Sequence, residues 1–179
     1  MDLSILIWIQ NHLVFVQLNG FFIFITNFWD NIFWGLPLAV LLLLKKETRL
    51  TGLTLLVSLT LCALIVNLTL KPIIARPRPY MAYEIDLLIP KPIDFSFPSG
   101  HSASVFAFVW AYFISRKDLW RWGLLIFALL VSFSRLYLFV HYPTDVLGGI
   151  IIGILIAYLS KCLVCRFKYH PKMLKFLSY

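Results

Sequence analysis

Charge is what this sequence has least of. Only 13 % of its 179 residues are Asp, Glu, Lys or Arg, against 61 % apolar, where an ordinary soluble domain carries roughly 25 % charged residues. That balance excludes an ordinary soluble domain. A basic leader is missing as well: residues 1–19 contain no Lys or Arg, so no cleavable signal peptide is read there. Cysteine is confined to Cys62, Cys162 and Cys165. Cys162 and Cys165 have the Cys-x-x-Cys spacing of zinc or redox sites, but zinc asks for about four ligands and only His170 lies near. They read as helix-end thiols in a reducing compartment, and no metal or cofactor is expected. Internal repeats and low-complexity tracts are absent too.

What fills the chain instead is a series of apolar runs of roughly 17–25 residues, the length a helix needs to cross a bilayer. The expected fold is all-α, a single integral membrane helical bundle over residues 1–179 with five to six transmembrane helices. Residues 1–20 form an interfacial segment or a first helix, and His12 there is read as interfacial. Spans are expected over residues 28–44, 50–70, 98–115, 120–138 and 144–165. Asp30 falls near the outer end of the first of these, with its part in any site left open. Residues 72–97 hold Pro72, Pro77, Pro79, Pro90 and Pro92 together with Glu84, Asp86 and Asp94, a density that rules out a membrane helix through most of the stretch. They form an outer loop, with a short helical turn expected around residues 82–88.

The net charge of +8 is explained by placement, without nucleic acid. Lys45, Lys46 and Arg49, then Arg116, Lys117 and Arg121, then Lys161, Arg166, Lys168, Lys172 and Lys175 all fall on one side when the spans are counted. The positive-inside rule makes that side cytoplasmic, and residues 166–179 read as a basic tail on the anionic inner surface. Lys71, Arg76, Arg78, Lys91 and Arg135 belong to the opposite side.

On that opposite side three polar islands interrupt the apolar sequence. The first runs from Lys71 to Pro79, the second is Phe97-Pro98-Ser99-Gly100-His101, and the third holds Ser134, Arg135, His141 and Asp145. Ionisable groups gathered at one membrane depth mark a functional site. Lys71, Arg78 and Arg135 are donors suited to phosphate oxygens. Ser99 and Gly100 open a helix whose N-terminal N–H groups favour an anion. Pro143 suits a first helical turn, so His141 lies just outside a helix whose first turn holds Asp145, within reach of its carboxylate. Two histidines then match one nucleophile and one acid. Ser-Gly-His also suggests a serine hydrolase, but Gly-x-Ser-x-Gly is absent and the three cations would go unused.

Lys71-x6-Arg78-Pro79, Pro98-Ser99-Gly100-His101 and Ser134-Arg135-x5-His141-x3-Asp145 resemble, in order and without departure, the three motifs of the type 2 phosphatidic acid phosphatase superfamily, in its small bacterial membrane branch. The match covers residues 71–145. The resemblance implies a metal-independent phosphohydrolase with a phosphohistidine intermediate. His141 would attack phosphorus, Asp145 would hold its ring, and His101 would protonate the leaving oxygen and then activate water. Lys71, Arg78, Ser99, Gly100 and Arg135 would bind the phosphate oxygens. Arg76 lies outside the motif and reads as a headgroup or second-phosphate contact. The implied substrate is a membrane lipid phosphate or pyrophosphate: phosphatidylglycerophosphate, phosphatidic acid, undecaprenyl pyrophosphate or the 1-phosphate of lipid A. The implied place is the bacterial cytoplasmic membrane, with the site facing the periplasm or cell exterior; oligomeric state is open. Two other readings share these residues: a lipid phosphotransferase using the same site, and a non-enzymatic transporter that grips anionic headgroups.

Overall fold

The computed structural model describes residues 2–30 and 35–167, and all regular structure among them is helical. In chain order the helices are α1 (Asp2–Leu13), α2 (Val16–Asp30), α3 (Gly35–Leu44), α4 (Arg49–Cys62), continued by π-type turns over Ala63–Leu70, then α5 (Lys71–Ile74), α6 (Pro79–Ala82), α7 (Gly100–Ser115), α8 (Trp120–Tyr137) and α9 (Pro143–Phe167). The stretches Arg49–Ala82 and Pro143–Phe167 are long and apolar enough to cross a membrane. α2 and α3, whose axes meet at 48°, together make a third such stretch.

α7 is the axis of the bundle, with α2, α4, α8 and α9 packed around it. Its core neighbours are apolar throughout: Val105, Phe106, Phe108 and Val109 from α7 meet Leu55, Val131 and Ala157. The outward faces are equally apolar, with Leu41, Leu68, Ile126, Leu129, Ile151 and Leu155 all exposed. A helix apolar on both faces belongs in a membrane. α7 and α9 approach so closely that side chains are excluded between them. A Cβ on Gly153 would lie 2.5 Å from the Ala103 carbonyl oxygen, and one on Gly149 would lie 2.6 Å from that of Ser99.

Three expectations shift. Helix precedes the span expected at 28–44, with α2 running from Val16, because polar residues along it bond to protein. Asn19 accepts a hydrogen bond from the Tyr137 hydroxyl and Thr26 accepts one from Arg135. The short helical turn expected at 82–88 lies earlier, at Pro79–Ala82, where proline is preorganised for a first turn. Helical backbone also persists past Leu70 to Ile74; Pro72, which has no N–H to donate, directly follows the wide π turns. Residues 168–179, including most of the basic tail and His170, lie outside the described residues, as does Asn31.

Candidate active site

The ends of α2, α4, α7, α8 and α9 nearest residues 71–101 and 134–145 enclose a set of buried polar side chains: Lys71, Arg78, Ser96, Ser99, Arg135, His141 and Asp145. Each is placed by a local device. α8 stops when Phe139 takes a left-handed conformation, φ 58°, a position usually given to glycine. Burial of its ring with Leu6 of α1 and Tyr142 offsets a strain on the order of 1–3 kcal/mol. The turn delivers His141 just before Pro143 starts α9. Asp145 is then the third residue of that helix, and its carboxylate accepts the Tyr142 N–H at 2.9 Å, half of a capping box. At the other helix start Ser99 is the N-cap of α7, and its N–H donates to the Asp145 carbonyl at 3.0 Å. The two helix beginnings are thus stitched together.

Asp145 is surrounded by donors: Ser96 Oγ at 2.5 Å and Arg76 Nη1 at 2.5 Å as well as the Tyr142 N–H. His141 Nδ1 lies 3.6 Å from Asp145 Oδ2 and 3.5 Å from Ser96 Oγ. The opposite ring nitrogen, Nε2, is 3.3 Å from Arg78 Nη1, on the side of the cations. Burial first, then the charges of Arg78, Arg135 and Lys71, holds the His141 imidazole well below its ordinary pKa. At neutral pH the ring is uncharged, which is the state a nitrogen nucleophile requires.

The cations converge on the same space. Arg78 is fixed by the Val140 carbonyl at 2.7 Å and the Asp94 carbonyl at 2.8 Å. Its Nη2 meets Asp94 Oδ1 at 2.5 Å, and Lys71 Nζ bonds the other oxygen of that carboxylate. Burial would raise the Asp94 carboxyl, but hydrogen bonding and charge from Lys71 and Arg78 outweigh it and bring its pKa to about 2. Arg135 gives one nitrogen to Thr26, while its Nε is buried with no partner. A buried guanidinium nitrogen left without an acceptor is costly, and an anion bound between the helix ends would satisfy it. Gly100 keeps the entrance open: a Cβ there would sit 3.1 Å from Asn67 Oδ1 and 3.5 Å from Lys71 Nζ.

His101, in the first turn of α7, stands on the far side of this space and lines a cavity of about 340 Å³. Trp29, Asp30, Leu36, Leu59, Ala63 and Asn67 also line it. All of the residues singled out in the three islands therefore meet at one end of the bundle. Ser99 and Ser134 are partial exceptions, because their hydroxyls are turned into their own helices, against Ser102 Oγ at 3.1 Å and the Val131 carbonyl at 2.6 Å, and Arg76 turns away from the cavity.

The PAP2 superfamily description fits residues 51–168. The chain belongs to this superfamily. An undecaprenyl-diphosphatase of Sulfolobus acidocaldarius is 38 % identical over 152 residues, covering 84 % of this chain and 72 % of that protein. A PAP2-type phosphatidylglycerolphosphate phosphatase from Bacillus subtilis superposes with a TM-score of 0.75 at 30 % identity, over 94 % of this chain and 87 % of that one. Aquifex aeolicus LpxE gives a TM-score of 0.71 at 26 % identity, over 89 % and 93 %.

Four residues of this PAP2 site stand outside the roles assigned from sequence. Arg76, expected as a headgroup or second-phosphate contact, instead bridges Asp145 and Asp2 of α1 and stacks on the Tyr142 ring. Ser96, two residues before Pro98, carried a signal only by adjacency to the second island. Asp94 had none beyond being a carboxylate in the outer loop, and Asp30, expected near the outer surface, had its part left open. Among the described residues no three His, Cys, Asp or Glu side chains gather to hold a metal ion. Cys162 and Cys165 are exposed free thiols on the last turns of α9.

Proposed function

We propose that this protein hydrolyses the phosphate of a membrane lipid by way of a phosphohistidine formed on His141. The enzyme class, a PAP2 lipid phosphatase, follows from family membership. The observation that carries the mechanism is the polarity of the His141 ring: Nδ1 is backed by Asp145 and Ser96, while Nε2 looks towards Arg78 and the space where Arg135 lacks a partner. His141 Nε2 attacks phosphorus in line. As the bond to the lipid oxygen breaks, His101 supplies that oxygen with a proton. A water then gives a proton back to His101 and displaces the phosphoryl group from Nε2, releasing inorganic phosphate and restoring both rings. Lys71, Arg78, Arg135 and the N–H of Gly100 hold the non-bridging oxygens and the charge that develops on them, while the Ser99 N–H stays on the Asp145 carbonyl. For Lys71 and Arg78 this means exchanging the Asp94 carboxylate for phosphate.

With α2–α3 together, α4 with its π turns, α7, α8 and α9 counted as five spans, the proposed location of the site is the outer surface of the cytoplasmic membrane. The Lys45, Arg116 and Lys161 clusters then face the cytoplasm. α1, about 18 Å long at 1.5 Å per residue, lies across the outer surface. There Leu6 is buried against the α8–α9 turn, and Gln10 donates to the Leu136 and Tyr137 carbonyls. The cavity between α2, α3, α4 and α7 takes the first part of the lipid chain, with Leu36 and Leu59 on its walls. Phosphatidic acid, phosphatidylglycerophosphate, undecaprenyl diphosphate and lipid A 1-phosphate all present the group this site binds.

The test is phosphate release by the purified chain in detergent across those four lipids. Release from at least one, blocked by vanadate and unchanged by EDTA, is the expected result. Release from none, or a rate that EDTA abolishes and magnesium restores, rejects the reading.

A further inference from the structure

His101 carries a partner that the three motifs do not contain. Asp30, the last residue of α2, places Oδ1 2.5 Å from His101 Nε2. The contact is too bent to rank as a straight hydrogen bond, yet Nε2 is buried and among the described residues meets no other acceptor. Nothing along the chain would announce the pair, since it joins residues 71 positions apart. It is held by packing next to it. Trp29 donates from its indole N–H to Ser104 Oγ at 2.8 Å, one turn beyond His101, and sets its ring on Phe108. Those contacts tie the end of α2 to the start of α7. Asp30 and His101 then face one cavity together.

We propose that Asp30 is a positioning residue for the leaving-group step, holding His101 by Nε2 so that Nδ1 addresses the departing lipid oxygen. The inference rests on the reading of His101 as the acid. An imidazolium has two N–H groups. With the Nε2 proton kept on Asp30, the Nδ1 proton is the one transferred as the P–O bond breaks, and the Nδ1 lone pair is then free to take a proton from water. The ring stays in one orientation through both halves of the reaction. Asp145 does the same for His141 from the opposite ring edge, leaving Nε2 free. The site thus contains two carboxylate–imidazole pairs, one for bond formation to phosphorus and one for the leaving oxygen.

In the step that forms the phosphohistidine, a residue that acts through a general acid matters only when the leaving group needs a proton. The experiment reads that step in single turnover and compares dioleoyl phosphatidic acid in mixed micelles, whose leaving alcohol is a poor one, with p-nitrophenyl phosphate, whose phenolate leaves unprotonated. Asp30→Asn should slow phosphoenzyme formation from phosphatidic acid by about 100-fold, within the range of general acid catalysis. Phosphoenzyme formation from p-nitrophenyl phosphate should fall by less than about fivefold. Asp30→Glu should recover part of the loss. Added to His101→Ala, Asp30→Asn should cost nothing further, because coupled residues are not additive. Vanadate affinity and melting temperature report that the fold is kept, and Asp30→Ser repeats the comparison with a smaller side chain. Equal losses on the two substrates, or a fully additive double variant, overturn the proposal while leaving the phosphatase reading intact. A wild-type protein that hydrolyses neither substrate removes both.

Discussion

His141 and His101 each sit against an aspartate, but different parts of the chain build the two pairs. His141 and Asp145 are four residues apart, on either side of the helix start at Pro143, and both are fully enclosed. Ser96, Arg76 and the Tyr142 N–H add further bonds to the same carboxylate. His101 and Asp30 come from separate helices and share a single contact at the edge of an open cavity. Under the proposed mechanism, the over-determined pair suits an atom that strikes phosphorus along one line, and the looser pair borders the space through which different lipids would pass. Rigidity is placed where the chemistry is the same for every substrate, and room is left where substrates differ.

Removing His141 tests the rigid half most severely. His141→Ala should reduce phosphate release by more than about 10⁴-fold, as loss of a nucleophile does, on phosphatidic acid and p-nitrophenyl phosphate alike. Trapping with radiolabelled substrate should show no acid-labile phosphoprotein. Residual turnover near wild type would mean that the phosphohistidine is formed elsewhere. The looser half should answer less strongly and more selectively. His101→Ala should slow phosphoenzyme formation by about 10²–10⁴-fold with phosphatidic acid and much less with p-nitrophenyl phosphate. A loss independent of leaving group would erase the distinction between the two histidines.

The spacing between the halves can be altered without touching either. Gly149→Ala would push a Cβ to 2.6 Å from the Ser99 carbonyl and 3.0 Å from Ser102 Cβ. Backbone cannot yield there as a flexible side chain can, so a destabilisation of about 1–3 kcal/mol is expected from overpacking. Because Ser99 N–H to Asp145 is one of the bonds crossing that contact, kcat should fall with it. Retention of both stability and kcat would show that the two helix starts are not set by this contact.

The smallest effect concerns Asp94, half-exposed between Lys71 and Arg78. Its pKa is lowered from 3.8 to about 2 in the folded protein, so its ion pairs stabilise fully above the unfolded value and are lost as pH falls through the folded one. Melting temperature should therefore decline between about pH 4 and pH 2 more steeply in wild type than in Asp94→Asn, with solvent exposure keeping the difference small. Identical slopes would show that the carboxylate is not held by those cations.

Much of the site was legible because its pieces are short in sequence. A proline that fixes a helix start, with a histidine two residues before it and an aspartate two after, specifies the His141–Asp145 pair almost alone. Ser99 and Gly100 similarly specify a helix N-terminus. The all-helical bundle could be read from apolar run lengths. What sequence did not offer were pairings between elements. The bonds of Asn19 and Thr26 could not be read along the chain, because their partners, Tyr137 and Arg135, stand more than a hundred residues away. Arg76 was read as a headgroup contact for the same reason: its partners, Asp2 and Asp145, come from opposite ends of the chain.

The wide turns over Ala63–Leu70 have a geometric consequence for Lys71. In a regular α-helix every fourth residue overshoots a full turn by about 40°, so over two such steps a residue drifts well round the cylinder. Turns closed from i to i+5 hold more residues per turn and wind more slowly, and Ala63, Asn67 and Lys71 all line the cavity wall. Deleting any one residue between Ala63 and Lys71 would swing the ammonium group through roughly 100°, out among the acyl chains. The anion pocket would lose a cation while every motif residue remained in the sequence.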